Sequence, residues 1–178
     1  MSKLDSPEDV QEFESHMSAW VDVCAFRARC TGARVDEGDK DRFMSAADTI
    51  ANGLEAAYCI PEKLDCHIMA AAQYILLAGD VIDAECVKRQ LVIVPERIPP
   101  YWTDWADGKG PEVWKRWGKR FAEIADALET GGELGFKLYE HNREALTDMV
   151  LRARDKMRAL EPELFAESSP QASNIGGN

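Results

Sequence analysis

Apolar residues recur at steps of three and four along most of this chain, the spacing that lines one face of an α-helix. Val10, Phe13, Met17, Trp20 and Cys24 make the first stripe. Ser6 and Pro7 precede it as N-cap and first helical residue, with Glu8 and Asp9 at the positive end of the helix dipole. Thr31-Gly32 ends it. After a polar approach at Asp36–Asp41, Phe43, Ala47, Ile50, Leu54 and Ala57 form a second stripe. Gly53 sits among them, and a glycine inside a helix predicts close packing against a neighbour.

The third stretch, Pro61–Gly79, differs in kind. Between Leu64 and Ala78 only Asp65, His67 and Gln73 are strongly polar, and they point in different directions around the axis. A helix apolar on all sides is a buried one, and this one is too short and too interrupted to span a bilayer, which takes about 20 apolar residues. It predicts the central helix of the fold, opened by Pro61 and closed by Gly79. Val81, Ile82, Ala84, Cys86, Val87 and Leu91 continue the pattern as a short helix or a kinked extension. Leu91–Val94 is β-branched but has no partner strand, so no sheet is built from it.

Further on, Pro111-Glu112 opens a helix whose stripe is Trp114, Trp117, Phe121, Ile124 and Leu128, stopped by Thr130-Gly131-Gly132. A last helix is expected from about Glu133 to Leu160, with Leu138, Ala145, Met149, Ala153, Met157 and Leu160 inward, Leu146 and Val150 alongside, and Pro162 as its stop. The fold class is therefore all-α: a single irregular orthogonal bundle of five to six helices around residues 61–79, without a sheet. Residues 1–5 read as a frayed end, 6–165 as one domain, and 166–178 as a disordered tail.

Length and charge narrow the functional classes. The chain has 178 residues, enough for one domain with a proper core and no need of disulfides or metal. Its 32 acidic against 21 basic side chains give a net charge of −11, which repels nucleic acid and anionic lipid and leaves neutral or cationic small molecules as the expected partners. Five cysteines without CxxC spacing predict reduced, mostly buried thiols. With no apolar leader at the N-terminus, a cytoplasmic location is the expectation.

Three segments resemble a family of small helical proteins of unknown function from filamentous fungi: AAAQYILLAGD at Ala70–Asp80, VWKRWGKRFAEIA at Val113–Ala125, and ALTDMVLRARDKMRALEP at Ala145–Pro162. Together they span roughly Leu64–Pro162. Where that family has a Gly/Ser-rich link before its tryptophan helix, this chain has the aromatic PPYWTDWADGKG. The resemblance implies a fungal source and an accessory role in a biosynthetic gene cluster, and it transfers no functional residue.

Most signatures of site chemistry are missing. His16, His67 and His141 are widely separated, without metal-ligand spacing. Asp80, Asp83 and Glu85 at the end of the central helix could hold Mg²⁺ with a diphosphate, but a solvated acidic helix end explains them more simply. Gly131-Gly132 lacks the lysine of a phosphate loop, and Gly108-Lys109-Gly110 reads as a turn. Cys66 and His67 are about 100° apart on a helix, too divergent for a thiol–imidazole pair. Lys115, Arg116, Lys119 and Arg120 read as a solvated face.

Two candidates remain. His67 and Tyr74 lie on nearly one face of the central helix with Ala71 and Ala78 between and beyond them. They are either core residues with backbone partners or donors in a pocket. Tyr101, Trp102 and Trp105 sit on the irregular segment Ile98–Gly110, where they cap the bundle or line a cavity mouth. The functional expectation is a small-molecule-binding helical protein of fungal secondary metabolism. Its enzymatic form is a cofactor-independent cyclase or isomerase, pericyclase-like, needing only a shaped cavity and one or two donors. In that form His67 and Tyr74 are catalytic, while Ala71, Tyr101, Trp102 and Trp105 shape the site for an apolar substrate. No cofactor, metal, nucleic acid or membrane is expected, and a homo-oligomer is compatible with the chain. The alternative is a non-catalytic accessory protein docking a partner through its aromatic loop.

Overall fold

The long apolar run at the middle of the chain can be shielded from water only if other helices cover it on several sides, and that requirement organises the molecule. A computed structural model describes residues 7–35, 40–55, 64–88, 109–131 and 143–166. They form α1 (Pro7–Gly32), α2 (Lys40–Glu55), α3 (Leu64–Ile82), a π-helical turn (Asp83–Lys88), α4 (Gly110–Thr130), α5 (Arg143–Leu160) and the short α6 (Pro162–Phe165). No strand occurs among the described residues, and the all-α bundle is the observed fold class. Helix α3 packs against α1, α2 and α5, while α4 is laid mainly on α5. Ile68, Ala70, Ala71, Ala72, Tyr74, Ile75 and Ala78 of α3 are buried all round its axis.

Glycines mark where helices touch most closely. At Gly53, a Cβ would lie 2.9 Å from the Ala71 Cβ and nearer still to the His67 carbonyl oxygen, so α2 meets the backbone of α3. At Gly32 a Cβ would strike the Leu77 carbonyl oxygen, and so the last turn of α1 rests on α3 as well.

Three expected boundaries or faces are corrected. Gly79 does not end the central helix. It is an interior residue, and the chain runs on to Ile82 and into the π turn. What Gly79 provides is a low surface under α5, where its nearest non-local atoms are Lys156 Cε and Leu160 Cδ1. The inward face of α5 is also shifted: Leu146, Val150, Ala153 and Met157 are fully buried, Ala145 is exposed and Met149 half-buried. Pro162 follows the end of α5, as expected, but starts α6, whose Phe165 ring packs on Gly118 of α4. The expected opening at Pro61, the run Leu91–Val94 and residues 132–142 lie outside the described residues.

Helix α4 matches its pattern closely. Trp114, Trp117, Phe121, Ile124 and Leu128 are all buried, each a side chain whose removal from water stabilises by about 1.5–3 kcal/mol. Gly131 caps it in the left-handed conformation, φ 69°, its N–H donating to the Ala127 carbonyl, a geometry glycine adopts without steric cost. The four cations of this helix lie on its outer side. Arg116 pairs with Glu55, and Lys119 and Arg120 pair with Glu123.

Candidate functional site

His67 and Tyr74 are brought together on one side of α3, as their spacing requires, and that side is turned toward α1 and α2. The His67 ring lies against Trp20 of α1, centroids 4.6 Å apart and planes tilted by 59°. The Tyr74 phenol is buried and in hydrogen-bonding contact with the Ser45 and Thr49 hydroxyls of α2. Burial raises its pKa, with Cys24 adding to the shift, and Ser45, Thr49 and Arg27 offset this only in part. The phenol therefore keeps its proton at neutral pH and can donate it. Ala71, between the two, meets Gly53. Tyr101, Trp102 and Trp105 lie outside the described residues.

Open space occurs instead about 140° round α3 from this face. A cleft of about 180 Å³ is lined by Cys66, Met69 and Gln73 of α3, by Phe13, Glu14, Met17, Ser18, Val21 and Asp22 of α1, and by Met149 of α5. His67 and Tyr74 are not among its walls. Three methionines give it soft, adjustable sides, the kind that accept irregular apolar shapes. The Gln73 side-chain amide donates to the Met149 sulfur at 3.8 Å, linking α3 to α5 across the cleft floor. Its charged lining residues, Glu14 and Asp22, are both acidic. The sequence pattern concealed this site because Cys66, Met69 and Gln73 look like any other face of an all-apolar helix. The one available signal was Gln73, a polar residue in the middle of that run.

Cys66 is no nucleophile. Burial, together with the neighbouring Asp65 carboxylate and Glu14, pushes its thiol up to about 12, so the reactive thiolate is scarce at neutral pH. Asp65 Oδ1 accepts the Cys66 backbone N–H at 2.8 Å, which fixes the first turn of α3. Cys24, Cys30 and Cys66 are free thiols.

The acidic end of α3 is engaged in ion pairs. Asp80 is paired with Lys156 of α5, and Glu85 stands 3.8 Å from Arg34. Lys88 lies 2.7 Å from Asp83 and 3.0 Å from Glu161, and so binds the π turn to the approach to α6. Among the described residues no group of three or more His, Cys, Asp or Glu side chains is placed to hold a metal ion.

Opposite pKa shifts give this end of the helix a measurable pH signature. Burial raises the Asp83 pKa above 3.8 despite Lys88, and Glu161 adds to the rise. A raised carboxyl favours the folded state fully below its ordinary value, and that contribution is lost as pH climbs through the elevated one. Asp80 behaves in reverse. Its hydrogen bond from Lys156 lowers its pKa, so its contribution is lost only on acidification. Urea midpoints measured from about pH 4 to 7 should therefore move in favour of Asp83→Asn over the wild-type chain as pH rises. Parallel curves would show that Asp83 does not titrate in this window.

No helix among the described residues is long and apolar enough to cross a membrane. No curated protein and no solved structure matches the chain. A family model does match, over residues 2–121. That match takes in α1, α2, α3 and the first half of α4, which includes every described wall of the cleft except Met149. The closing segment Ala145–Pro162 lies beyond it. The chain thus belongs to the family described as "Protein of unknown function (DUF3632)".

Proposed function

We propose that this chain is a helical binding protein that takes a small apolar molecule, or the apolar end of a longer one, in the cleft between α1, α3 and α5. The observation that carries this reading is the methionine-walled space of about 180 Å³. A dry cavity of about 150 Å³ accommodates a benzene ring, so the cleft suits one aromatic ring or a short alkyl chain. Glu14 in its lining favours a ligand that is neutral or carries a cation, and the net charge of −11 acts in the same direction at long range.

The resemblance at Ala70–Asp80, Val113–Ala125 and Ala145–Pro162 supports extending this reading to a fungal source and to secondary metabolism, and the free thiols Cys24, Cys30 and Cys66 support a cytoplasmic location. A cofactor-independent cyclase or isomerase is its catalytic form. In that form Glu14 and Gln73 are the polar groups beside the substrate, and His67 and Tyr74 act from the opposite side of α3 by holding α1 and α2 in place.

Benzylamine and benzoate are matched probes for the cleft, followed through the methyl resonances of labelled methionine. Benzylamine is expected to shift Met17, Met69 and Met149, and benzoate to leave them unmoved. Ser18→Trp, which adds bulk at an exposed position on the cleft, should abolish the shifts. Glu14→Gln should erase the preference for the amine, and Tyr74→Phe should change neither. Shifts that survive Ser18→Trp, or silence with both probes, would overturn the proposal.

A further inference from the structure

Helix α1 has a second apolar stripe that the bundle does not use. Its inward side, Met17, Val21, Cys24, Ala28 and Thr31, packs on the core. Directly opposite run Ala19, Val23, Phe26 and Cys30, spaced four, three and four residues apart. Phe26 is 65% exposed and Val23 49%, two of the three large apolar side chains left in the open among the described residues.

The charges of α1 are also segregated along its length. Glu8, Asp9, Glu12, Glu14 and Asp22 occupy the part before Val23, which contains no lysine or arginine. Arg27 and Arg29 follow Phe26, and no acidic residue lies between them and the end of the helix. We propose that two copies of this chain pair through the outward face of α1, antiparallel about a two-fold axis near Phe26. A parallel pair would set acid over acid and arginine over arginine. An antiparallel pair about that axis overlaps the two helices over about residues 19–32 and sets Asp22, the acidic residue within the overlap, toward the arginines of the other copy.

The register follows from helix geometry. Asp22 and Arg29 are seven residues apart, about 20° from each other around the axis, and so lie on the same edge of the stripe. A two-fold axis perpendicular to the helices preserves that edge, and each Asp22 comes beside Arg29 of the partner subunit. Phe26 then lies near the axis against its own copy, with Val23 packed beside it. One patch serves both copies, as an isologous interface requires. This inference does not depend on the ligand reading. It does engage Asp22, which with Glu14 is one of the two carboxylates lining the cleft.

Sedimentation equilibrium of the full chain tests the pairing. The wild-type chain is expected to be a dimer. Phe26→Asp should raise its dissociation constant at least about thirtyfold, the weight of one interface hot spot, with the far-ultraviolet circular dichroism unchanged because the side chain is exposed in the monomer. Asp22→Arg alone should weaken the dimer, and adding Arg29→Asp should restore it, since the exchanged charges meet again only in the antiparallel arrangement. A monomeric wild-type chain, a dimer indifferent to Phe26→Asp, or a double variant that fails to recover would each overturn the proposal.

Discussion

Replacing Trp117 with alanine is expected to lower the unfolding free energy by about 3–5 kcal/mol, the usual cost of deleting a buried indole. The ring is 1% exposed in the middle of the α4 stripe. Its Nε1–H donates to Glu55 Oε1 at 2.9 Å, and the same oxygen accepts from Arg116 Nη2 at 3.1 Å and Nε at 3.3 Å. One carboxylate at the end of α2 is thus held by two residues of α4, and the alanine variant loses both the packing and the bond that joins these helices. Trp117→Phe separates the two effects. It keeps most of the apolar volume and should cost about 1–2 kcal/mol, because Glu55 retains Arg116 and stays partly hydrated. With total stabilities of about 5–15 kcal/mol for such domains, the alanine variant should show a large fall in urea midpoint at unchanged slope. Equal losses in the two variants would mean that the hydrogen bond, and not the ring, carries the effect.

A smaller side chain at a different contact should also produce a large change. In an ordinary helix interior, exchanging glycine for alanine stabilises by about 0.5–1 kcal/mol. At Gly53 the sign should reverse, with a loss of about 2–3 kcal/mol. The new methyl would press on the Ala71 Cβ and on the carbonyl of His67, and backbone cannot yield as a side-chain tip can. Helices α2 and α3 would have to move apart, disturbing the Tyr74 contacts with Ser45 and Thr49 in the same seam. Gly79→Ala is the matched control. Its new Cβ would meet Lys156 Cε at 3.3 Å, a side-chain atom that has to give by only a few tenths of an ångström, so part of the ordinary gain should be retained. Thermal or urea unfolding of the two variants beside the wild-type chain reads the contrast directly. Two stabilised variants would mean that α2 is not seated on α3 as closely as Gly53 indicates.

The same residues show how far the pattern of the chain reaches. Gly53 was readable as a close-packing glycine because its neighbours Ile50 and Leu54 keep a clean helical period around it. Gly79 looked like a terminator, yet the run Val81–Ile82 that follows it is apolar enough to remain helical, and the nearby Lys156 and Leu160 explain its small size. In α5, Ala145 and Leu146 are adjacent apolar residues, and periodicity could not choose between stripes only one residue apart. The packing of α5 on α3 and α4 buries Leu146 and leaves Ala145 exposed. The cleft was the least legible feature. A helix apolar on every side gives no sign of which side will be left partly open, and its chemically versatile residues, His67 and Tyr74, lie on a different side from the cleft.

What the amino-acid sequence determined by itself is local: the helices, the all-α class, the burial of most of residues 64–78 and the two faces of α4. These follow from which side chains must avoid water and from the period at which they recur, and both are properties of neighbours along the chain. Only the tertiary structure decided that α1 and α2 close over His67 and Tyr74 while α1 and α5 leave a space over Met69. It alone showed that Asp80 and Asp83 are held by lysines, and that Phe26 faces solvent. Each of those outcomes depends on pairs of residues far apart in the chain. The same apolar surface is satisfied by several helix arrangements, and the close contacts at Gly32, Gly53 and Gly79 select one of them.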